Sequence, residues 1–210
     1  MLSSIIISEM DKLNYKLSFT AASLSLSESV SLAEVYLKCR DWKQTKQIIK
    51  ENNLLQSRTN SRTIRVSREL IQRLELLRED QLELLVEGSL AEQKYLLWFA
   101  VCRTYGIIQE FAIEVLHEKF LSRSMKITEL DYDAFFNRKA DWSDSLEKIT
   151  ISTRKKIRQV LFLMMREAGL LTEDNTILRA MLSKRLLQTL LSDAPMSFHI
   201  FPVEPSEVQG

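Results

Sequence analysis

The sequence predicts a mainly α-helical protein. Three observations carry that expectation: scarce turn formers, abundant leucine, and apolar residues recurring at helical spacing. Glycine and proline number 4 and 3 in 210 residues, far below the roughly 12 % that is usual, and too few for a turn-rich β-sandwich. Leucine occurs 33 times and favours helix. Hydrophobic residues make up 45 % and charged residues 27 %, the balance of an ordinary globular chain. The length suits one large domain or two small ones, with a core that needs no disulfide or metal.

Taken in order, residues 1–24 read as a weakly ordered lead-in. Ser27 to Cys39 carries Val30, Ala33, Val35, Tyr36 and Leu37 at helical spacing. Asp41 is a suitable N-cap for a helix to Asn52, with Trp42, Ile48 and Ile49 on its buried side. Asn52-Asn53 can stop it, because Asn tolerates the left-handed conformation. Leu54 to Val66 has two readings. As a helix, it places Arg58, Arg62, Arg65 and Arg73 on one face, opposite Val66, Leu70, Leu74 and Leu77. As a hairpin, Leu54-Leu55-Gln56 pairs with Thr63-Ile64-Arg65-Val66 across a polar tip from Ser57 to Arg62, and Ser67 caps a fresh helix to about Leu77.

Glu75, Glu79, Asp80, Glu83 and Glu87 form an acidic joint ending at Gly88. Ser89-x-x-Glu92 is a capping box opening a helix to about Tyr105. The run Tyr95 to Cys102 in it is apolar nearly all round, as in a central helix. Gly106 separates it from a helix carrying Ile107, Ile108, Phe111, Val115, Leu116 and Phe120. Shorter helical pieces span Asp131–Lys139 and Ser143–Ile149; Ser152 then caps a long helix to Ala168, stopped by Gly169. Ser183 opens a last helix to about Leu191, and a loose tail follows Pro195. Trp98, Phe99, Phe111, Phe120, Phe135, Phe136, Trp142 and Phe162 have core spacing, and His117 reads as a surface or boundary residue.

A shift of 116 residues aligns Lys50–Leu55 with Arg166–Leu171 and Ser67–Gln72 with Ser183–Gln188, with seven identities over residues 50–74. If this is a repeat, each unit is a helix, a Leu-Leu strand, a polar turn, a short strand and a helix, resembling a winged helix. The second hairpin joins Leu170-Leu171-Thr172 to Thr176-Ile177-Leu178 through the acidic tip Glu173-Asp174-Asn175, which phosphate repels. The expected organisation is two small helical subdomains with winged-helix-like helix–hairpin–helix units: 1–77, an acidic joint at 78–92, 93–195 and a tail at 196–210.

Lys and Arg total 29 against 28 Asp and Glu, a net charge of +1, so nucleic-acid binding must come from local clusters. Arg58, Arg62, Arg65 and Arg68 are interleaved with Ser57, Thr59, Asn60, Ser61 and Thr63, a phosphate-contacting composition. The bland alternative is a solvated face or a partner for the acidic joint. Lys43, Lys46 and Lys50 extend the same surface at i, i+3, i+7, although lysine so placed often serves solubility alone. Arg154, Lys155, Lys156 and Arg158 crowd the start of a helix, where cations oppose the macrodipole. That misplacement points to an external anion, such as a DNA phosphate met by a recognition helix. A solvated face is the alternative here too.

Other chemistries find little footing. There is no P-loop, no glycine-rich nucleotide turn and no G-x-S-x-G. No His, Cys or carboxylate grouping has metal-ligand spacing. No enzymatic activity, metal or cofactor is therefore expected. Cys39 and Cys102 suit reduced, buried thiols in a cytoplasmic protein. No signal peptide is evident, and the longest apolar run, the eight residues Tyr95 to Cys102, falls short of the ~20 a membrane span needs.

Several blocks, in order, resemble one family. They include Tyr15–Thr20, Leu32–Leu37 with Asp41-Trp42, Glu51–Thr59, Leu84–Ser89 and Leu97–Arg103. Glu110–Leu116, Asp131–Asn137, Ser152–Leu161 and Arg166–Leu171 complete the set. Over about residues 15–203 the chain resembles the BrxA family of bacteriophage exclusion (BREX) defence systems. The resemblance implies a helical protein with winged-helix-like parts that binds double-stranded DNA. It also implies a phage-defence operon shared with a methyltransferase, ATPases and a phosphatase-like protein, and no catalysis of its own. The family defines no catalytic residues to carry over. Two further readings stand beside DNA binding: an adaptor joining other BREX proteins through the acidic joint and acidic hairpin, and an RNA-binding helical protein.

Overall fold

A helix cap written into the sequence, Asp41, sets one of the first elements. The computed structural model describes residues 15–52, 60–192 and 197–204, and among these the regular structure is almost wholly helical, with two isolated β-bridges. Helix α1 (Leu26–Cys39) and α2 (Trp42–Glu51) are joined at Arg40, which is left-handed. Asp41 Oδ1 accepts from the backbone N–H groups of Lys43 and Gln44 at 2.6 and 2.8 Å, capping α2 as its sequence position demands. Those bonds, the Gln44 one foremost, hold its carboxyl below the usual range. Tyr36 stacks on Trp42 across the corner, centroids 4.0 Å apart. Asn52 ends α2 without the left-handed conformation; its side-chain amide donates instead to the Ile48 carbonyl at 3.1 Å.

Helix α3 (Asn60–Leu74) decides between the two readings of residues 54–66 in favour of helix. Thr63–Val66 is helical, so the hairpin arm expected there is overturned, and with it a fresh helix starting at Ser67. The reason is an apolar stripe at helical period: Leu70, Ile71 and Leu74 are buried and Val66 packs against the core. The Leu54-Leu55-Gln56 arm and Arg58 lie outside the described residues. The internal echo is therefore partial. Leu70 and Leu74 match Leu186 and Leu190 in burial, but Ser67 sits within α3, whereas Ser183 caps α11 (Lys184–Leu191).

Helices α4 (Glu79–Glu87) and α5 (Leu90–Thr104) follow, separated by the expected box at Ser89 and Glu92. The Glu92 carboxylate accepts from the Ser89 N–H at 2.8 Å, and Ser89 Oγ accepts from the Glu92 N–H at 3.4 Å. Every residue of α5 from Tyr95 to Cys102 is buried, as an all-round apolar helix requires. It meets the next helical run, Gly106–Leu121, at 117°, and among the described residues no single helix is long and apolar enough to cross a membrane. That run comprises α6 (Gly106–Phe111), a π-helical turn (Ala112–His117) and α7 (Glu118–Leu121).

The remaining helices are α8 (Glu129–Ala140), α9 (Asp144–Glu147) and α10 (Ile151–Glu167). The cap of α10 is Thr150, two residues before the Ser152 expected; its hydroxyl accepts from the Thr153 N–H. Gly169 stops α10 at φ 73°. The Leu170 N–H returns to the Met165 carbonyl and the Gly169 N–H to the Arg166 carbonyl, both at 2.9 Å, which is the Schellman pattern. A hairpin follows as the sequence indicates, with Leu171 bridged to Ile177. A third segment, unseen in the sequence, joins it. Lys126 bridges Thr176, and the Ile177 N–H donates to the Met125 carbonyl at 2.6 Å.

Four further expectations are corrected by packing. Residues 15–24 are not loose: Tyr15, Phe19 and Leu24 are buried, around a 3-10 turn at Ser18–Ala21. Nor are residues 197–204, where Ile200, Phe201 and Val203 are buried. Trp98 Nε1 donates to the Ile200 carbonyl at 2.9 Å, and His117 Nδ1 lies 2.7 Å from the Phe201 carbonyl, so His117 is buried rather than a boundary residue. Trp142, expected in the core, is exposed. Cys102 is buried and Cys39 half-buried, both free thiols. Apolar residues from Tyr15 to Val203 form a single cluster.

Candidate nucleic-acid interface

The exposed faces of α2 and α3 carry the basic residues that the sequence singles out. In α2, Thr45 and Ile49 turn inward, which leaves Lys43, Lys46 and Lys50 on the solvent side. In α3, Glu69, Leu70, Ile71, Arg73 and Leu74 are buried, while Ser61, Ile64, Arg65 and Arg68 are exposed. Lys46, Lys50, Ile64, Ser67 and Arg68 together line a recess of about 400 Å³. Arg68 also borders a second recess of about 490 Å³, with Arg65, Lys16, Ser18, Thr20 and Gln72. Arg68 is thus common to both recesses. Lys46 reaches Glu75 at 3.8 Å. Lys50, Arg65 and Arg68 pair with no carboxylate among the described residues.

Arg73 does not belong to that face, contrary to the helical reading of the segment. Its side chain is 3 % exposed and that of Glu69 5 %, with 2.8 Å between guanidinium and carboxylate. The guanidinium also donates to the carbonyls of Ser23 at 2.5 Å and Ala22 at 3.0 Å, pinning the 15–24 segment onto α3. Glu69 also accepts from the Tyr105 hydroxyl and, at 3.3 Å, from Ser18 Oγ. Burial, and then the Glu69 bond, push the Tyr105 phenol up to about 12. The i, i+4 spacing of Glu69 and Arg73 is the sequence signal that marks this internal pair.

At the start of α10 the structure divides the basic cluster. Arg154 donates to Asp133 Oδ1 at 2.9 Å and Asn137 Oδ1 at 2.7 Å and lies over the Phe136 ring. Arg158 reaches Glu129 at 2.7 Å and Asp133 at 3.6 Å. These two arginines tie α10 to α8, which is the reason they tolerate an unfavourable helix end. Lys155 and Lys156 remain exposed. The hairpin beyond α10 is negative at its tip. Asp174 accepts from Thr172 Oγ1 at 2.5 Å and Thr176 Oγ1 at 2.9 Å, and these bonds, the Thr172 one foremost, lower its carboxyl to about 2.

Of the residues expected in the site, Lys46, Lys50, Arg65 and Arg68 are brought together, and Lys43 stands on the same helix face. Arg62 falls in the first turn of α3, and Arg58 lies outside the described residues. Sequence reasoning missed Lys16, Ser18, Thr20 and Gln72. Lys16 is one of only two lysines, with Lys12, in a segment read as a loose lead-in, and only the buried Tyr15 and Phe19 around it hint that it is held. Among the described residues no group of three or more His, Cys, Asp or Glu could hold a metal ion.

Comparison with known proteins agrees with the resemblance. A crystal structure of an uncharacterized protein from Magnetospirillum magneticum superposes with a TM-score of 0.77 at 18 % identity, over 90 % of this chain and 98 % of that one. At that identity the likeness concerns the fold alone. A protein of Bacillus cereus (strain H3081.97) named BREX protein BrxA is 27 % identical over 119 residues, 57 % of this chain. The match spans 60 % of that relative's length. The family model for BrxA matches residues 13–193, most of the helical core and the whole groove between α2 and α3, and the chain belongs to the BrxA family.

Proposed function

We propose that this chain is a non-catalytic, double-stranded-DNA-binding component of a BREX phage-defence system, working in the cytoplasm and holding DNA largely by its phosphates. Family membership supports the BREX assignment. The observation that carries the DNA reading is the gathering of Lys46, Lys50, Arg65 and Arg68 around two recesses that share Arg68, in a nearly neutral protein. Three of these cations have no carboxylate partner among the described residues, so phosphate can neutralise them without breaking an internal pair. Lys43 extends the surface on α2.

A second contact lies at α10, where Lys155 and Lys156 face solvent and Arg154 and Arg158 position the helix. We read the order α6–α7, bridged segment, α8, α9, α10, hairpin as winged-helix-like, and that reading supports this contact. The acidic tip keeps the hairpin itself away from the backbone.

Fluorescence anisotropy with a random-sequence duplex at two salt concentrations tests the reading. The slope of log K against log salt is expected near −0.9 per phosphate neutralised. Lys50→Ala/Arg65→Ala/Arg68→Ala flattens that slope and weakens binding at least tenfold, while Lys155→Ala/Lys156→Ala has a smaller effect. Salt-independent affinity, or equal affinity of the triple variant, sinks the proposal. An adaptor role is the second reading, through the exposed acidic face of α4, where Glu79 and Glu83 pair with Arg40 and Glu87 with Arg185. It predicts that co-purification with other BREX proteins survives loss of the groove cations and fails on charge reversal in α4.

A further inference from the structure

We propose that the recess between α3 and the 15–24 segment binds a phosphomonoester, the terminal phosphate of a nucleic-acid strand or of a free nucleotide. The inference rests on the reading of this face as a nucleic-acid surface and narrows it.

The recess differs from an open backbone track in three ways. It is closed beneath by polar groups already committed to one another: Glu69 receives Arg73, Tyr105 and Ser18, and Gln72 Nε2 donates to the Tyr105 hydroxyl at 3.3 Å. Arg73 neutralises Glu69, so the floor adds no net repulsion for an anion. The rim carries three cations from two separate chain segments, Lys16, Arg65 and Arg68, all exposed and with no carboxylate partner among the described residues. Thr20 lines the same space with a hydroxyl for which no internal bond is found among the described residues.

Three convergent cations exceed the single charge of a phosphodiester and match the dianion of a phosphomonoester, which offers a third charged oxygen to donors. The volume, about 490 Å³, lies in the range of roughly 300–1,000 Å³ that accommodates small ligands. A strand that ends there fits a recess with a floor, whereas a strand that runs on must leave it. Lys46 and Lys50, across Arg68 in the neighbouring recess, are then placed to hold the following phosphates.

The test measures binding of one blunt duplex in three forms: 5′-phosphorylated, 5′-hydroxyl, and sealed by hairpin loops so that it has no termini. Deoxyadenosine monophosphate is added in a fourth arm, followed by thermal shift and by displacement of the labelled duplex. The phosphorylated end is expected to bind about tenfold tighter than the hydroxyl end, as one additional charge-assisted hydrogen bond would give. Lys16→Ala and Arg65→Ala abolish that difference, Arg65→Lys partly keeps it, and Lys50→Ala weakens all three duplexes without changing it. All three positions are exposed, and a circular-dichroism melt checks that the variants are folded. A preference for the phosphorylated end assigns the site to a strand terminus. Binding of the mononucleotide without an end preference assigns it to free nucleotide. Equal affinity of the two ends with no mononucleotide binding overturns the inference, and if the sealed duplex still binds, the broader DNA reading survives. If no duplex binds and the mononucleotide is silent, both fail.

Discussion

Arg65 and Arg73 stand eight residues apart in one helix, chemically identical and physically opposite. Arg65 is exposed, whereas Arg73 is enclosed by Glu69 and three backbone carbonyls. Removing one partner of a buried ion pair leaves an uncompensated charge. Arg73→Ala is therefore expected to cost about 3–5 kcal/mol of folding stability in urea denaturation. Arg65→Ala is expected to change it by no more than about 0.5 kcal/mol and, on the proposed function, to weaken DNA binding. The same cluster has a pH signature. Tyr105 titrates at about 12 in the fold, raised from 10.0, so the fold prefers the neutral phenol. Its contribution is complete below pH 10 and is lost as pH rises from 10 toward 12. Lys139 acts in the same direction: burial lowers it, but its bonds to Glu110 and Glu114 raise it further, above the ordinary 10.5. Stability measured across pH 9–12 is expected to fall, and Tyr105→Phe makes the fall shallower. An unchanged slope in that variant would assign the alkaline loss elsewhere.

Helix α10 shows what local chemistry decides at the scale of an element. Its start is held by Thr150 and its end by Gly169, and both signals are local. Thr150→Ala is expected to cost about 1 kcal/mol, as loss of an N-cap does, and Ser152→Ala less, because its hydroxyl caps no backbone N–H. Gly169→Ala meets no atom within 4 Å, so its cost, about 1 kcal/mol, is the left-handed conformation alone. Thermal melts of the three variants rank these effects, and a Ser152→Ala loss equal to that of Thr150→Ala contradicts the assigned cap. The caps at Asp41, Ser89 and Ser183 were legible for the same reason: each is a side chain bonding a backbone N–H two or three residues on. Residues 60–66 were ambiguous because Thr63, Ile64 and Val66 suit a strand as well as a helix. Packing of Leu70, Ile71 and Leu74 resolved them. The Met125–Ile127 segment had no sequence signal, since its partner lies about fifty residues away.

Across the whole molecule, the two segments read as loose ends close the core. Phe19 and Phe201 are both fully buried, the first on Tyr105 with ring centroids 5.2 Å apart, the second on Tyr95 at 5.6 Å. Phe201→Ala is expected to destabilise by about 3–5 kcal/mol, the cost of a large core cavity. A chain ended at residue 192 loses the Trp98–Ile200 bond as well, and a shift of tryptophan emission toward the red reports its exposure. A truncated chain with the full melting temperature would refute the role given to 197–204. The basic groove exists only at this scale, because Lys16 comes from the first segment, Lys46 and Lys50 from α2, and Arg68 from α3.

Composition, helical periodicity and caps determined by themselves that the chain is helical, where most helices begin, and that cations gather near α2, α3 and the start of α10. Those properties depend on neighbours within a turn or two, so a linear reading reaches them. Tertiary structure alone decided which cations are available. Arg73, Arg154 and Arg158 meet carboxylates brought by distance or by the helix register, whereas Lys50, Arg65 and Arg68 meet none among the described residues. A side chain's charge is written in the sequence, but its partner is chosen by the fold, and only an ion without an internal partner can be offered to a ligand at little cost.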